Sequence, residues 1–143
     1  MPEDDARPLL LDTHVWVWLA EAPDRVSTKC VDLVRRAEPA GRVHISAISV
    51  WELAMLTRKG RLVLSRDLRT WVRRTLDSDL RLAPLTPEIA IDAGFLPGVL
   101  TGDPADRLLV ATARALAGVL VTRDAQILDY GAQGHVKVVD AAA

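Results

Sequence analysis

Short apolar runs alternate with helix-periodic segments along almost the whole chain, and that alternation restricts it to an α/β domain around a mainly parallel sheet. Pro8-Leu9-Leu10-Leu11-Asp12 is a brief apolar run closed by a carboxylate, followed by an apolar helix over residues 14–20 that contains Trp16 and Trp18. Ser27 is placed to cap a second helix reaching Ala37, with Pro39 and Gly41 as its stop. Val43-His44-Ile45 predicts a second strand. Residues 46–57 predict a helix in which Ile48, Trp51, Leu53 and Leu56 recur at near-helical spacing before Gly60. A further helix is expected over residues 67–76 and a strand over residues 81–85, after which Thr86-Pro87 opens the next helix. Asp103-Pro104 puts a capping residue before proline at the head of a segment running to Leu116. Val119-Leu120-Val121 has the composition of a buried strand, residues 122–128 of a turn and short helix, and residues 136–139 of a last strand.

The length of 143 residues suits one domain, residues 1–143, with no repeat or linker. Half the residues are hydrophobic and 26% are charged, which excludes the composition of a disordered chain. A net charge of -1 carries no global basic excess, so any contact with nucleic acid must be local or metal-assisted. Cys30 is the single cysteine, which excludes an internal disulfide and a cysteine-cluster zinc site and suits a reducing cytoplasm. The acidic N-terminus lacks the positive charge of a signal peptide, and no apolar stretch approaches the roughly 20 residues that span a bilayer.

In an open parallel sheet the crossover helices start at the carboxyl edge of the strands, which is also where such folds bind ligands. Asp12 ends the first strand, Asp124 follows the strand of residues 119–121, Glu52 lies in the helix after the second strand, and Asp106 lies in the first turn of the helix leading back to Val119. All four are therefore expected at one edge. Two like charges about 4 Å apart repel by roughly 4 kcal/mol at an effective dielectric near 20, a cost that a divalent cation relieves. Oxygen donors without a cysteine or histidine pair favour magnesium or manganese over zinc, and such ions serve phosphoryl transfer. Taken singly, each acid has an ordinary structural role open to it. Asp12 would cap a helix, Glu52 would close a capping box with Ser49, Asp106 would do so with Asp103, and Asp124 would be a turn residue.

Four segments carry a resemblance to a known family: Leu9-Leu10-Leu11-Asp12-Thr13-His14, Ser46-Ala47-Ile48-Ser49-Val50-Trp51-Glu52-Leu53, the stretch from Asp103-Pro104-Ala105-Asp106-Arg107 to Ala113, and Val121-Thr122-Arg123-Asp124. In order and spacing they resemble the PIN-domain ribonuclease toxins of VapC type, over nearly the whole chain. The resemblance implies a three-layer α/β/α sandwich and endonucleolytic cleavage of RNA with Mg2+ or Mn2+. It also implies a homodimer and inhibition by a small VapB-like antitoxin. Asp12, Glu52 and Asp106 match the family's core metal-binding acids and Asp124 its more variable fourth. Asp12 and Asp106 are thus expected as direct ligands, with Glu52 and Asp124 acting directly or through water. Relatives with the Asp-Thr-His opening often carry a histidine shortly before the Asp-Pro pair, where this chain has Thr101-Gly102, and an aromatic residue where it has Ala105. Both changes bear on the pocket wall and hence on substrate preference.

Thr122, Arg107, Arg123 and His14 flank these acids and are secondary candidates for contact with substrate, each with a local structural role as the alternative. Arg58, Lys59 and Arg61 form the best basic patch, although helix C-termini favour cations for dipole reasons alone. Trp16, Trp18, Trp51 and Trp71 are expected to pack in a core or subunit interface, since each has apolar helical neighbours. His14 argues against an aspartyl-phosphate hydrolase, which needs an acid there, and Asp12-Thr13-His14 lacks the glycine-rich turn of a dinucleotide site. A DNA nuclease of structure-specific type and a catalytically silent scaffold that binds a protein partner are the remaining alternatives.

Overall fold

The computed structural model describes residues 6–143; the acidic opening that weighed against a signal peptide, Glu3-Asp4-Asp5, lies outside them. Five strands and seven helices follow in the order β1 (Leu9–Leu11), α1 (Thr13–Glu21), α2 (Thr28–Ala37), β2 (Val43–Ser46), α3 (Ala47–Arg58), α4 (Leu68–Leu76), β3 (Leu80–Ala83), α5 (Pro87–Gly94), α6 (Pro104–Ala115), β4 (Val119–Thr122), α7 (Ala125–Ala132) and β5 (Lys137–Asp140). A 3-10 turn at Pro23–Arg25 joins α1 to α2.

The strands form one sheet in the order β3-β2-β1-β4-β5, and every pairing is parallel. β1 is central, with Leu11 level with Ile45 of β2 on one side and Val121 of β4 on the other. The chain leaves β1 towards β2 and later returns to its other flank as β4, so the strand order reverses between β1 and β4. At such a reversal neighbouring crossovers diverge and open a crevice at the carboxyl edge.

Alternation along the strands divides the core in two. Leu9, Leu11, Val119 and Val121 face a cluster built with Val15, Trp16 and Trp71, whereas Leu10 and Leu120 face one built with Ile89, Leu109 and Ile127. Helices cover both faces, giving the α/β/α sandwich. Helix α3 reaches both clusters, Leu53 in the first and Ile48 against the second.

Two boundaries differ from the sequence expectation. The strand expected over residues 81–85 closes at Ala83, because Pro84 has no N–H to extend the ladder. The short helix expected to finish by residue 128 continues to Ala132, with Ile127 and Tyr130 buried on its inner side. Among the described residues no helix is long and apolar enough to cross a membrane.

Candidate active site

The crevice between β1 and β4 is lined by five carboxylates, Asp12, Glu52, Asp103, Asp106 and Asp124, with His14, Trp18 and Arg123 on its flank. Its volume is about 470 Å³, inside the range of about 300–1,000 Å³ common for ligand sites.

Asp12 follows β1 directly and caps α1, its Oδ1 accepting from the Thr13 amide at 2.6 Å. Its Oδ2 accepts from Thr122 Oγ1, also at 2.6 Å. Only 9% of Asp12 is exposed, and burial pushes its carboxyl pKa upward against the two hydrogen bonds that lower it. Thr122 in turn accepts from the Asp124 amide at 3.0 Å. One hydroxyl therefore ties Asp12 to the turn that carries Asp124.

Glu52 stands in the second turn of α3 and is held by a different threonine. Thr13 Oγ1 lies 2.6 Å from Glu52 Oε1 and 2.8 Å from Ser49 Oγ. An ionised carboxylate only accepts, so the Thr13 hydrogen goes to Glu52 and the Ser49 hydrogen to Thr13. The capping box suggested for Ser49 and Glu52 is absent because Ser46 caps the helix, accepting from the Ile48 amide at 3.1 Å. Burial raises the Glu52 pKa, the Thr13 hydrogen bond lowers it, and the charges of Asp12 and Asp103 raise it again.

Asp106 occupies the first turn of α6, where the helix N-terminus ordinarily favours an ionised carboxylate by up to about 1 kcal/mol. Burial and the charges of Asp124, Asp12, Asp103 and Glu52 outweigh that preference and push its pKa up to about 7. It does not close a capping box with Asp103. Asp103 caps the helix through Oδ1 to the Ala105 amide at 3.0 Å, and among the described residues the Asp106 carboxylate has no hydrogen-bond partner. Asp124 caps α7, with Oδ1 accepting from the Ile127 amide at 3.0 Å, and is thus more than a turn residue.

Of the secondary candidates, His14 and Arg123 border the crevice and Thr122 lies beneath it. Arg107 does not line it. Its Nε donates to the Ala93 carbonyl at 2.8 Å and its Nη1 to that of Leu100 at 2.9 Å, which fastens α5 and the following loop to α6. Two of its guanidinium nitrogens are thus engaged by backbone carbonyls away from the crevice. Arg58, Lys59 and Arg61 are exposed around the Gly60 turn and do not border the crevice.

Trp16 and Trp71 are buried, with ring centroids 5.0 Å apart, as core residues. Trp18 is instead half-buried on the crevice wall, and Trp51 is 52% exposed. Cys30 is buried, and burial followed by the Asp140 charge pushes its thiol up to about 11. Sequence reasoning missed Asp103 on the crevice lining and the buried Thr13 and Ser49 that hold Glu52 from behind it. Signals for them existed: Asp103 and Asp106, like Ser49 and Glu52, are three residues apart and so share one helix face.

A carboxylate cluster of this kind fits a hard divalent cation by donor chemistry, being all oxygen, and by electrostatics, since each ionised neighbour raises the proton affinity of Asp106. Among the described residues, no three His, Cys, Asp or Glu side chains are drawn together as a ready-made coordination group.

The family model described as "PIN domain" matches residues 9–133. The chain is 35% identical over 122 residues to Ribonuclease VapC22 of Mycobacterium tuberculosis (strain ATCC 25618 / H37Rv), covering 85% of this chain and 91% of that protein. Solved structures that share the fold include FitAcB from Neisseria gonorrhoeae (TM-score 0.61, 21% identity, 93% of this chain and 97% of that one) and DNA-bound VapBC from Salmonella typhimurium (TM-score 0.64, 18% identity, 95% and 99%).

Proposed function

Because the chain belongs to the PIN-domain family, we propose that it is a Mg2+- or Mn2+-dependent endoribonuclease and the toxin half of a toxin–antitoxin pair. The observation that carries this reading is the meeting of Asp12, Glu52, Asp106 and Asp124 in one crevice, in a chain 35% identical to a ribonuclease.

Asp12 and Asp106 would hold the ion directly, and Glu52 and Asp124 directly or through its waters. When bound, the ion supplies charge neutralisation among the acids, polarisation of the phosphoryl group and a more acidic water. The chain's own part is positioning. Thr122 fixes one oxygen of Asp12, the Ser49–Thr13 pair fixes one oxygen of Glu52, and the Ile127 amide of α7 fixes one oxygen of Asp124. Each retains a second oxygen or lone pair for the ion, its waters or the attacking water. Hydrolysis then forms a bond from the water oxygen to phosphorus and breaks the bond to one ester oxygen, which leaves with a proton.

A VapB-like antitoxin is the partner this reading assigns, since VapBC complexes are among the solved structures with this fold. A homodimer is the second association, favoured by Ile91, Phe95 and Val99, which are 63, 83 and 76% exposed around α5. The compartment is the cytoplasm, in keeping with the single buried cysteine.

The test is cleavage by partner-free protein of RNA and DNA of equal sequence, with Mg2+ or Mn2+. Cleavage of RNA that EDTA and Asp12→Asn abolish is expected. Equal cleavage by a folded Asp12→Asn variant overturns the mechanism, cleavage of DNA alone replaces the substrate, and no cleavage leaves the scaffold alternative.

A further inference from the structure

Beside the five acids stands a small group of opposite charge. Arg123 and Arg25 place their guanidinium carbons 5.2 and 5.1 Å from the centroid of the Trp18 ring, and the His14 ring lies 5.8 Å from it, tilted by 45°. We propose that Trp18, Arg25 and Arg123 form a phosphate-holding flank that grips the backbone of single-stranded RNA beside the phosphate to be cleaved. Naming the strand as substrate rests on the nuclease reading above; the binding chemistry does not.

Three observations carry the inference. First, Arg123 borders the crevice with five carboxylates and precedes one of them in sequence, yet among the described residues neither guanidinium makes an ion pair. Each packs over the Trp18 ring, a contact worth roughly 0.5–1 kcal/mol where exposed, which leaves its N–H donors available to an anion. Second, each guanidinium carries a planar set of N–H donors that matches the oxygens of a phosphate, and the two together place positive charge beside the carboxylates without neutralising any of them. Third, the backbone beneath each group is fixed. Arg123 lies between buried Thr122 and the cap residue Asp124. The turn carrying Arg25 is closed by Val26 N to Pro23 O at 3.1 Å, with Val26 buried and the next amide, Ser27, bonded to Ala141 O at 2.8 Å. Only the side-chain ends are free to adapt.

The arrangement answers a difficulty of the acidic crevice, which by itself repels a polyanion. A cationic flank adjoining the acids compensates locally where the chain as a whole has no positive excess. Trp18 acts here as a positioning residue, holding the two guanidiniums beside the crevice. A carboxylate from a protein partner would also suit two arginines, but continuity with the crevice favours the strand that must enter it.

The experiment measures binding of fluorescein-labelled oligouridylate by anisotropy, in the Asp12→Asn background with magnesium present, across a series of KCl concentrations. Each phosphate contact to single strands contributes about 0.7 to the slope of log K against log salt, so Arg25→Gln with Arg123→Gln is expected to lower the slope by about 1.4. Trp18→Ala is expected to weaken binding and Trp18→Phe to retain most of it, because an aromatic face remains. In the cleaving protein the arginine changes raise KM with little change in kcat. An unchanged slope in the folded double variant overturns the proposal, as does a loss confined to kcat, or weakened antitoxin binding with RNA binding intact. Should the parent bind with the expected slope change but cleave nothing, the flank stands and the nuclease reading falls.

Discussion

Thr122 Oγ1 donates to Asp12 Oδ2 at 2.6 Å across a sequence separation of 110 residues, joining the carboxyl ends of the two strands that bracket the crevice. Thr122→Val keeps the shape and removes the hydroxyl, leaving a buried carboxylate oxygen and the Asp124 amide without their partner. A loss of about 1–3 kcal/mol is expected from denaturant unfolding, since an unmet buried polar group costs its desolvation. Cleavage should fall as well, with Thr122→Ser restoring both. A Thr122→Val protein as stable as the parent would show that the bond contributes little.

The placement of Asp12 and Asp124 was legible in the sequence because Asp12 directly follows an apolar run and Asp124 comes three residues after the end of another, and strand ends fix where the next residues sit. The division of Leu9 and Leu11 from Leu10 between two cores follows from pleating once the strand is recognised. What could not be read was side-chain commitment. Arg107 has the same composition signal as Arg123, yet one is fastened to the carbonyls of Ala93 and Leu100 and the other lies on Trp18. Trp16 and Trp18 are two residues apart on α1 and so point to different sides, one to the core and one to the crevice. These distinctions depend on tertiary neighbours that periodicity does not encode.

Arg107→Ala should therefore behave as a structural lesion. It releases two carbonyls and a charge-assisted pair of bonds, for which about 1.5–3 kcal/mol each is an upper guide. Thermal unfolding should show the loss, with proteolysis between α5 and α6 increasing. Arg107→Lys should rescue poorly, because an ammonium lacks the planar fork that reaches both carbonyls. If Arg107→Ala leaves stability intact and only raises KM for RNA, the side chain serves substrate after all.

Gly102 adopts a φ of +121°, and a Cβ there would stand 2.6 Å from Gln126 Oε1 and 3.8 Å from Asp106 Oδ2. Gly102→Ala is expected to cost on the order of 1–3 kcal/mol through backbone strain. The Gln126 side chain is able to swing away, so adding Gln126→Ala should recover little of the loss. Full recovery in the double variant would place the cost in the side-chain contact instead. This glycine directly precedes the helix cap Asp103, and its positive φ explains why a side chain is disfavoured at that point.

Asp106, pushed up to about 7 by burial and by its acidic neighbours, makes metal-free stability depend on pH. Its pKa is raised above the ordinary 3.8 of the unfolded chain, so the folded state binds the proton more tightly. The resulting stabilisation is complete below pH 3.8 and is lost as pH rises through about 7. Asp12 and Glu52 are shifted in the same direction, chiefly by burial, and add to the trend. In EDTA the parent should therefore melt at lower temperature at pH 8 than at pH 5.5. Asp106→Asn, which cannot ionise, should flatten that decline and exceed the parent at pH 8 by on the order of 1 kcal/mol after solvent screening, roughly 2–4 °C in Tm. Magnesium should raise the parent's Tm at pH 8 and affect Asp106→Asn much less, because its gain comes from pairing the ionised acids. Parallel pH profiles for the two metal-free proteins would show that the carboxylates are too far apart, or too well solvated, to burden one another.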